Sequence, residues 1–213
     1  CRTKLYLSKE GGFHYIIPHC KGPGSQIFYV PYWRLKGARF WFENLLVKAR
    51  FIDISQKAVA IPLIPPSLGV RPQAVKLKFA APEIPGTFLT PQITIRNAFG
   101  LPDGQDSQDG LSDFIGEVIS LIYAPVYLKE NTLYDAVTDQ RMNDLPNPGF
   151  LFELPRTDPA DSAKILFLPT LCPHCGWNLE GEKDALSLSC DNCKTLWIYR
   201  QDRLERLFFT TLH

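Results

Sequence analysis

The sequence predicts a mainly β protein of the α+β class, with a β-rich body, one main helix and a small cysteine-bearing C-terminal module. Three observations support this class. Segments rich in β-branched and aromatic residues recur along the first two-thirds of the chain. The 18 prolines are spread throughout, and because proline interrupts helices and cannot donate to a strand ladder, they favour short strands and ordered loops. Two Cys-x-x-Cys pairs lie near the C-terminal end.

Several segments in the first half of the chain have the composition of strands. Turns that contain glycine or proline, or short polar breaks, separate them. The predicted strands are Phe13–Ile17, Ile27–Leu35, Leu45–Ile54, Ala58–Ile64, Ala74–Phe79 and a shorter one at Ile93–Ile95.

The main helix is predicted at about residues 112–122. Ser112 is a suitable N-cap, and Asp113 would lie in the first turn, where an acidic side chain is favourable. Apolar residues at helical spacing would form the buried face. These are Phe114, Ile115, Val118, Ile119 and Ile122. Pro125 would end the helix.

A Tyr-x-Pro-x-aromatic pattern occurs twice, at Tyr29–Trp33 and at Tyr123–Tyr127. It indicates either an internal duplication or two unrelated edge strands that each pack an aromatic ring, and five positions do not decide between them. The second copy runs into a predicted hairpin formed by Val126–Leu128 and Thr132–Val137.

The strongest chemical signal is a set of four candidate metal ligands, Cys172, Cys175, Cys190 and Cys193. Each Cys-x-x-Cys turn presents two soft, anionic sulfurs to one ion, and four thiolates satisfy Zn²⁺ with no open coordination position. Gly176 allows a sharp turn after the first pair, and Lys194 adds a positive charge after the second. Fourteen residues separate the pairs, which is enough for a hairpin.

The segment from about residue 168 to residue 200 resembles the zinc ribbons with rubredoxin-like knuckles. The resemblance implies a small three-stranded sheet held by a structural Zn²⁺, with strands at Leu186–Ser189 and Thr195–Tyr199. It implies no particular activity, because zinc ribbons bind nucleic acid, dock onto proteins or secure a chain terminus.

Three alternatives to zinc remain open for these cysteines. Rubredoxins use the same four-cysteine geometry for iron, although their knuckles lie further apart in sequence. A dithiol redox pair is disfavoured because two pairs at ribbon spacing indicate one metal, and structural disulfides would need an extracellular setting. We expect His174, inside the first knuckle, to face solvent instead of binding the metal.

The N-terminal residues echo the second knuckle, because Cys1–Leu7 aligns without a gap with Cys193–Tyr199. Both begin with cysteine, a basic residue and threonine. We hypothesise that Cys1 is the last ligand of a second, incomplete ribbon that begins upstream; an accidental match is the alternative. The expected organisation is therefore a ribbon remnant at 1–12, a β-rich body at 13–162, and a ribbon with a hairpin at 163–213.

Charge is unevenly distributed, which suggests a candidate surface for an anionic partner. Residues 1–50 contain nine Lys and Arg but two acidic residues, a balance of +7 in a chain whose net charge is +1. Between residues 28 and 50, aromatic and basic residues alternate closely. Such a sheet can stack bases and neutralise phosphates, or can simply be half buried. The candidate residues are Trp33, Arg34, Lys36, Arg39, Lys48 and Arg50.

No catalytic motif is found, so we do not expect an enzyme. Phosphate-binding glycine loops, nucleophile elbows and metalloprotease helices are absent from the sequence. No apolar run approaches the roughly 20 residues that cross a bilayer. Cysteine pairs at metal-ligand spacing indicate a reducing compartment, so we expect a cytoplasmic protein. The first functional hypothesis is a non-enzymatic accessory or scaffold protein that binds a protein partner, and the alternative is nucleic-acid binding.

Overall fold

The structure is a computed structural model that describes most of the chain. The described residues are 5–9, 13–20, 26–43, 46–99, 112–145, 147, 149–158, 165–181, 187–200 and 203–208; at 6–9, 38–43, 47, 49, 112–118, 165–166 and 200 only the backbone is described. The strands are β1 Leu5–Lys9, β2 Phe13–Ile16, β3 Ile27–Glu43, β4 Leu46–Lys57, β5 Lys78–Phe79, β6 Thr87–Phe88, β7 Ser112–Lys129, β8 Thr132–Asp135, β9 Arg141–Asp144, β10 Ile165–Pro169, β11 Ser187–Cys190, β12 Thr195–Arg200 and β13 Arg203–Leu207. The helices are α1 Arg71–Ala74, α2 Ile95–Phe99 and α3 Phe150–Glu153.

An eight-stranded sheet forms the body, and its main path runs β4-β3-β7-β2-β5. Strand β6 pairs with β3, and β8 pairs with β7 and β9. The long strands β3 and β7 are antiparallel, whereas the short strands β2 and β6 run parallel to β7 and β3, respectively. The expected mainly β class is confirmed, and each helix in the described residues has only four or five residues.

The central strands are buried on both faces. Alternate residues point to opposite faces of a strand, and Phe28, Val30 and Tyr32 belong to one core cluster while Ile27 and Tyr29 belong to the other. Strand β7 divides in the same way, since Ile122, Ala124 and Val126 lie in the first cluster and Leu121, Tyr123 and Tyr127 in the second. The part of the β3–β7 pair formed by residues 27–32 and 121–127 is therefore core on both sides.

The helix predicted at residues 112–122 is wrong, because this segment is the first part of strand β7. It pairs with β3 from Trp41↔Ser112 to Tyr32↔Ile122, with a β-bulge opposite Lys36–Ala38. The apolar residues at 114, 115, 118, 119 and 122 fit helical spacing, but the pairing with the distant strand β3 decides the conformation. Pro125 does not end the element but lies inside it.

Three shorter strand predictions also need correction. Residues 58–64 form turns, because Pro62 interrupts the segment and the Lys57 ammonium donates to the carbonyls of Ile61 (2.7 Å) and Ile64 (3.4 Å). Of Ala74–Phe79, only Lys78–Phe79 is strand, and Ile95 begins a helix. The predictions for the other strands and the hairpin are confirmed, with β3 and β4 longer than expected.

The two Tyr-x-Pro-x-aromatic segments lie side by side in the sheet. Tyr29 pairs with Pro125, and Pro31 pairs with Tyr123, so each tyrosine faces the proline of the other copy. This reciprocal register places a pseudo-twofold axis between Val30 and Ala124. The segments are central strands, which excludes the edge-strand interpretation and supports the duplication.

Hydrogen bonds around the two copies repeat in the same places. The carbonyls of Tyr29 and Tyr123 accept from Leu89 (3.1 Å) and Ile17 (3.0 Å), respectively, at the ends of the parallel strands β6 and β2. The carbonyls of Pro31 and Pro125 accept from Ala58 (2.9 Å) and Ala136 (3.0 Å), respectively, just after the hairpin strands β4 and β8. The body therefore consists of two equivalent units, β2-β3-β4 and β6-β7-β8. The first strand of each unit pairs with the central strand of the other unit, β2 with β7 and β6 with β3.

This arrangement explains why proline is compatible with a central strand. Residue 31 lies where the neighbour of β3 changes from β6 to β4, and residue 125 lies where the neighbour of β7 changes from β2 to β8. A backbone N–H at the change of neighbour would have no regular ladder partner, and proline removes it.

The C-terminal module contains two small sheets. Strand β1, from the N-terminal segment, pairs antiparallel with β10, and β11-β12-β13 form a three-stranded sheet. In the part of the module that the structure describes, the buried cluster consists of Cys172, Leu179, Leu188, Cys190 and Trp197. Within the described residues, no helix is both long enough and apolar enough to span a membrane.

We predict that Pro31→Ala and Pro125→Ala each lower the free energy of unfolding by about 1–3 kcal/mol, the cost of an unsatisfied buried N–H. Chemical denaturation measures this loss, which should be similar for both variants because the two positions are equivalent. Pro62→Ala, at an exposed position, is the matched control. A loss in one variant alone would contradict the equivalence of the two units.

Candidate metal centre

Two turns bring the four cysteines together. The first turn follows β10 and carries Cys172 and Cys175; the second joins β11 to β12 and carries Cys190 and Cys193. Paired backbone bonds fix the first turn to the sheet, since Glu180 and Ser189 exchange two hydrogen bonds of 2.8 Å. The Leu179 N–H also donates to the Thr170 carbonyl at 2.8 Å.

The two turns have the same backbone geometry. The N–H of the residue after each pair, Gly176 or Lys194, donates to the carbonyl of the first cysteine of that pair at 2.8 Å. Both residues have left-handed φ values, 73° for Gly176 and 54° for Lys194. Glycine adopts this region without a steric cost, so the first turn suits its sequence better than the second.

The four sulfur atoms lie within 4.8 Å of one another. Two distances between the knuckles are short, at 3.6 Å for Cys172–Cys193 and 3.4 Å for Cys175–Cys190. Four sulfurs at about 2.3 Å from a tetrahedral ion would be roughly 3.8 Å apart, whereas a disulfide needs about 2.05 Å. The arrangement can therefore hold a metal ion, and the sulfurs are not bonded to each other.

The surroundings shift the pKa values of three of the four thiols, and not all in the same direction. Burial opposes ionisation of Cys172, but N–H groups of Cys175 and His174 outweigh it and lower the pKa of that thiol to about 6. The Asn192 side chain lowers the pKa of Cys175, whereas burial raises the pKa of Cys190 to about 11. A bound cation would stabilise all four thiolates, so metal binding releases protons and weakens as the pH falls.

The structure places the buried hydroxyl of Thr195 beside the sulfurs, which the sequence did not lead us to expect. Thr195 Oγ1 lies 3.0 Å from Cys193 Sγ and 3.8 Å from Cys172 Sγ, and Trp197 Nε1 donates to it at 2.9 Å. Because the indole N–H is only a donor, the threonine oxygen must accept from it, which leaves the hydroxyl proton for a sulfur. Trp197 thus orients Thr195 toward the thiolates.

His174 and Cys20 both lie outside the four-cysteine cluster. His174 is exposed, as expected, and does not belong to the ligand cluster. Cys20 is an exposed cysteine of the body and is not a member of the cluster. Cys1, the tentative ligand of a second ribbon, lies outside the described residues, so that hypothesis stays a prediction.

The predicted basic aromatic surface is not assembled on one face. Arg34 forms a two-pronged ion pair with Asp53, at 2.6 and 2.5 Å, and Trp33 Nε1 donates to the Ile93 carbonyl at 2.7 Å. Burial opposes ionisation of Asp53, but Arg34 outweighs it and lowers the pKa of that carboxyl. These two members of the set are therefore occupied with internal contacts.

Side chains alternate between the two faces of a strand, and this places other members of the predicted basic aromatic surface on opposite faces of the sheet. Lys36 pairs with Asp53, and Arg50 is three residues before Asp53 on β4, so Lys36 and Arg50 point to opposite faces. Lys48 and Arg50 are both exposed and share a face, whereas the side chain of Arg39 is outside the described part of the structure. The structure brings together only part of the predicted surface.

Comparison with known proteins identifies no relative. No protein-family model matches the chain, and no curated protein and no solved structure matches it either.

We predict that Thr195→Val weakens metal binding by about 10–100-fold, the usual effect of losing a hydrogen bond to a ligand. Thr195→Ser, which keeps the hydroxyl, should bind nearly as tightly as the unaltered chain. Cobalt titration measures both affinities, and the sulfur-to-cobalt charge-transfer band should move only in the valine variant. Equal bands and affinities in all three proteins would show that the hydroxyl does not act on the sulfurs.

Proposed function

We propose that this chain is a zinc-binding, non-enzymatic accessory protein whose C-terminal zinc ribbon is structural and supports contacts with a protein partner. The observation that carries the proposal is the cluster of Cys172, Cys175, Cys190 and Cys193 within 4.8 Å. The ligand set is all thiolate, which is typical of structural zinc, and it leaves no coordination position for a substrate.

The small size of the module supports a structural role for the metal. Among the described residues of the module, two of the five members of the buried cluster are themselves cysteines. So little apolar burial is a weak basis for folding, and small domains commonly gain the missing stability from a metal. Iron in the same four-sulfur geometry is the alternative, and visible absorbance distinguishes it.

Exposed apolar side chains on this module support the protein-contact part of the proposal. Leu5, Phe167 and Trp177 are 56%, 65% and 59% exposed, respectively. Leu5 pairs with Pro169, two residues after Phe167, so Leu5 and Phe167 share a face of the β1–β10 sheet. Large exposed apolar groups that share a surface mark interaction sites.

Nucleic-acid binding is less well supported. Arg34 and Trp33 are held by internal contacts, and Lys36 and Arg50 lie on opposite faces of the sheet. A cytoplasmic location fits a cluster of reduced thiols and belongs to the proposal.

Elemental analysis of natively purified, tag-free protein tests the metal. We expect about one zinc per chain, no visible colour and loss of zinc in Cys172→Ser and Cys190→Ser, because three thiolates hold the ion less tightly. Cys20→Ser, outside the cluster, should retain it. Iron with a coloured thiolate band, or zinc that survives the ligand substitutions, would contradict the proposal.

The partner surface is tested with the double variant Phe167→Ser/Trp177→Ser. We expect it to keep its zinc but to lose a protein that copurifies in fixed ratio with the unaltered chain, because apolar contact area is removed. Phe51→Ser removes an exposed ring from β4 and is the control. Copurifying nucleic acid in place of a protein would instead favour the alternative.

A further inference from the structure

A cleft of about 610 Å³ lies where the two units of the body meet. After β4, the chain returns with Lys57 N–H donating to the Pro66 carbonyl at 2.8 Å; after β8, Asp135 N–H donates to the Gln140 carbonyl at 2.9 Å. Pro66 and Gln140 both line the cleft. The cleft is therefore bounded by equivalent segments of the two units, and interfaces between structural units are common ligand sites.

An ion pair in this cleft joins Arg71, in helix α1 after β4, to Asp135 at the end of β8. The Asp135 carboxylate accepts from the backbone N–H groups of Val137 (2.8 Å) and Thr138 (3.1 Å) and from Arg71 Nη1. The Asp135 side chain is only 9% exposed, whereas that of Arg71 is 38% exposed. Asp135 is thus fully engaged, and the pair adds no net charge to the cleft.

Arg71 retains hydrogen-bonding capacity toward the cleft. A guanidinium has five N–H donors, and in the described structure its one protein acceptor is Asp135. Tyr32, which is buried beside the pair, donates its hydroxyl to the Pro65 carbonyl at 2.9 Å and keeps an acceptor position. The walls around these groups are mainly apolar and include Ile64, Val126 and Met142.

We propose that this cleft binds a neutral, mainly apolar molecule that presents a carbonyl oxygen to Arg71, such as an amide or a capped peptide. A carbonyl oxygen can accept from guanidinium N–H groups that Asp135 does not use, and it adds no charge. A carboxylate would instead place a second negative charge near Asp135, whose own charge Arg71 already balances. The volume is within the usual range for small-molecule sites. The site is separate from the metal centre, so it does not rest on the proposed zinc function.

Met142 provides a direct probe, since it is the one methionine of the sequence and lines the cleft. Protein labelled with ¹³C at the methionine methyl group is titrated with N-acetyl-leucine methylamide, and Met142→Leu assigns the resonance. A saturable shift with a Kd of roughly millimolar size is expected for so small a ligand. N-acetyl-leucine, the free acid with the same apolar body, is titrated in parallel.

Substitutions of two arginines test whether methylamide binding depends on the Arg71 guanidinium or only on the shape of the cleft. Arg71→Met should weaken methylamide binding by about tenfold or more, and Arg71→Lys, which keeps a charge beside Asp135, should also weaken it while preserving the fold. Arg141→Met is the matched control, because Arg141 also lines the cleft but is exposed and paired with Asp144. It should bind like the unaltered chain.

Three outcomes would overturn the proposal. The Met142 resonance would not respond to the methylamide, the free acid would bind more tightly than the methylamide, or the Arg71 and Arg141 variants would behave alike. A saturable methylamide shift that depends on Arg71 and not on Arg141 would support it.

Discussion

The antiparallel pairing of β3 with β7 is the constraint on which the body depends. Its register sets Tyr29 opposite Pro125 and Pro31 opposite Tyr123, and from this pair the two units extend symmetrically. Because residues 27–32 and 121–127 of this pair are covered on both faces, a one-residue slip would exchange the contents of the two core clusters. Pro31 and Pro125 lie where β3 and β7 each change their second neighbour. They therefore belong to the register of the β3–β7 pair and also stand at the ends of the β3–β6 and β7–β2 pairings.

The C-terminal module depends on a different force. Among the described residues, its buried cluster is small and includes two of the candidate metal-binding cysteines, whereas the body has two extended clusters of aliphatic and aromatic side chains. Cys172 and Cys190 are buried, and a buried thiolate is costly unless a cation or hydrogen bonds compensate it. The metal ion we propose would supply that compensation, with Thr195 and Trp197 completing the hydrogen bonds around the sulfurs.

Local chemistry made some features predictable and others not. The ligand spacing and the hairpin turn after Lys129 are encoded in a few neighbouring residues. Residues 112–122 were misassigned because their apolar residues also fit helical spacing, whereas the pairing with β3 that makes them a strand depends on residues far away in the sequence. The role of Thr195 did have a signal in the sequence: Thr195 and Trp197 are two residues apart in the strand predicted directly after Cys193, so they share one side of that strand.

X-ray absorption at the zinc edge, on natively purified protein, decides whether the four cysteines form a closed structural zinc site. It identifies the metal and the atoms bonded to it in one experiment. We expect four sulfur atoms at about 2.3 Å from the zinc and no nitrogen or oxygen bonded to it. Nitrogen or oxygen among the ligands, or protein that contains no zinc, would contradict a closed structural site formed by Cys172, Cys175, Cys190 and Cys193.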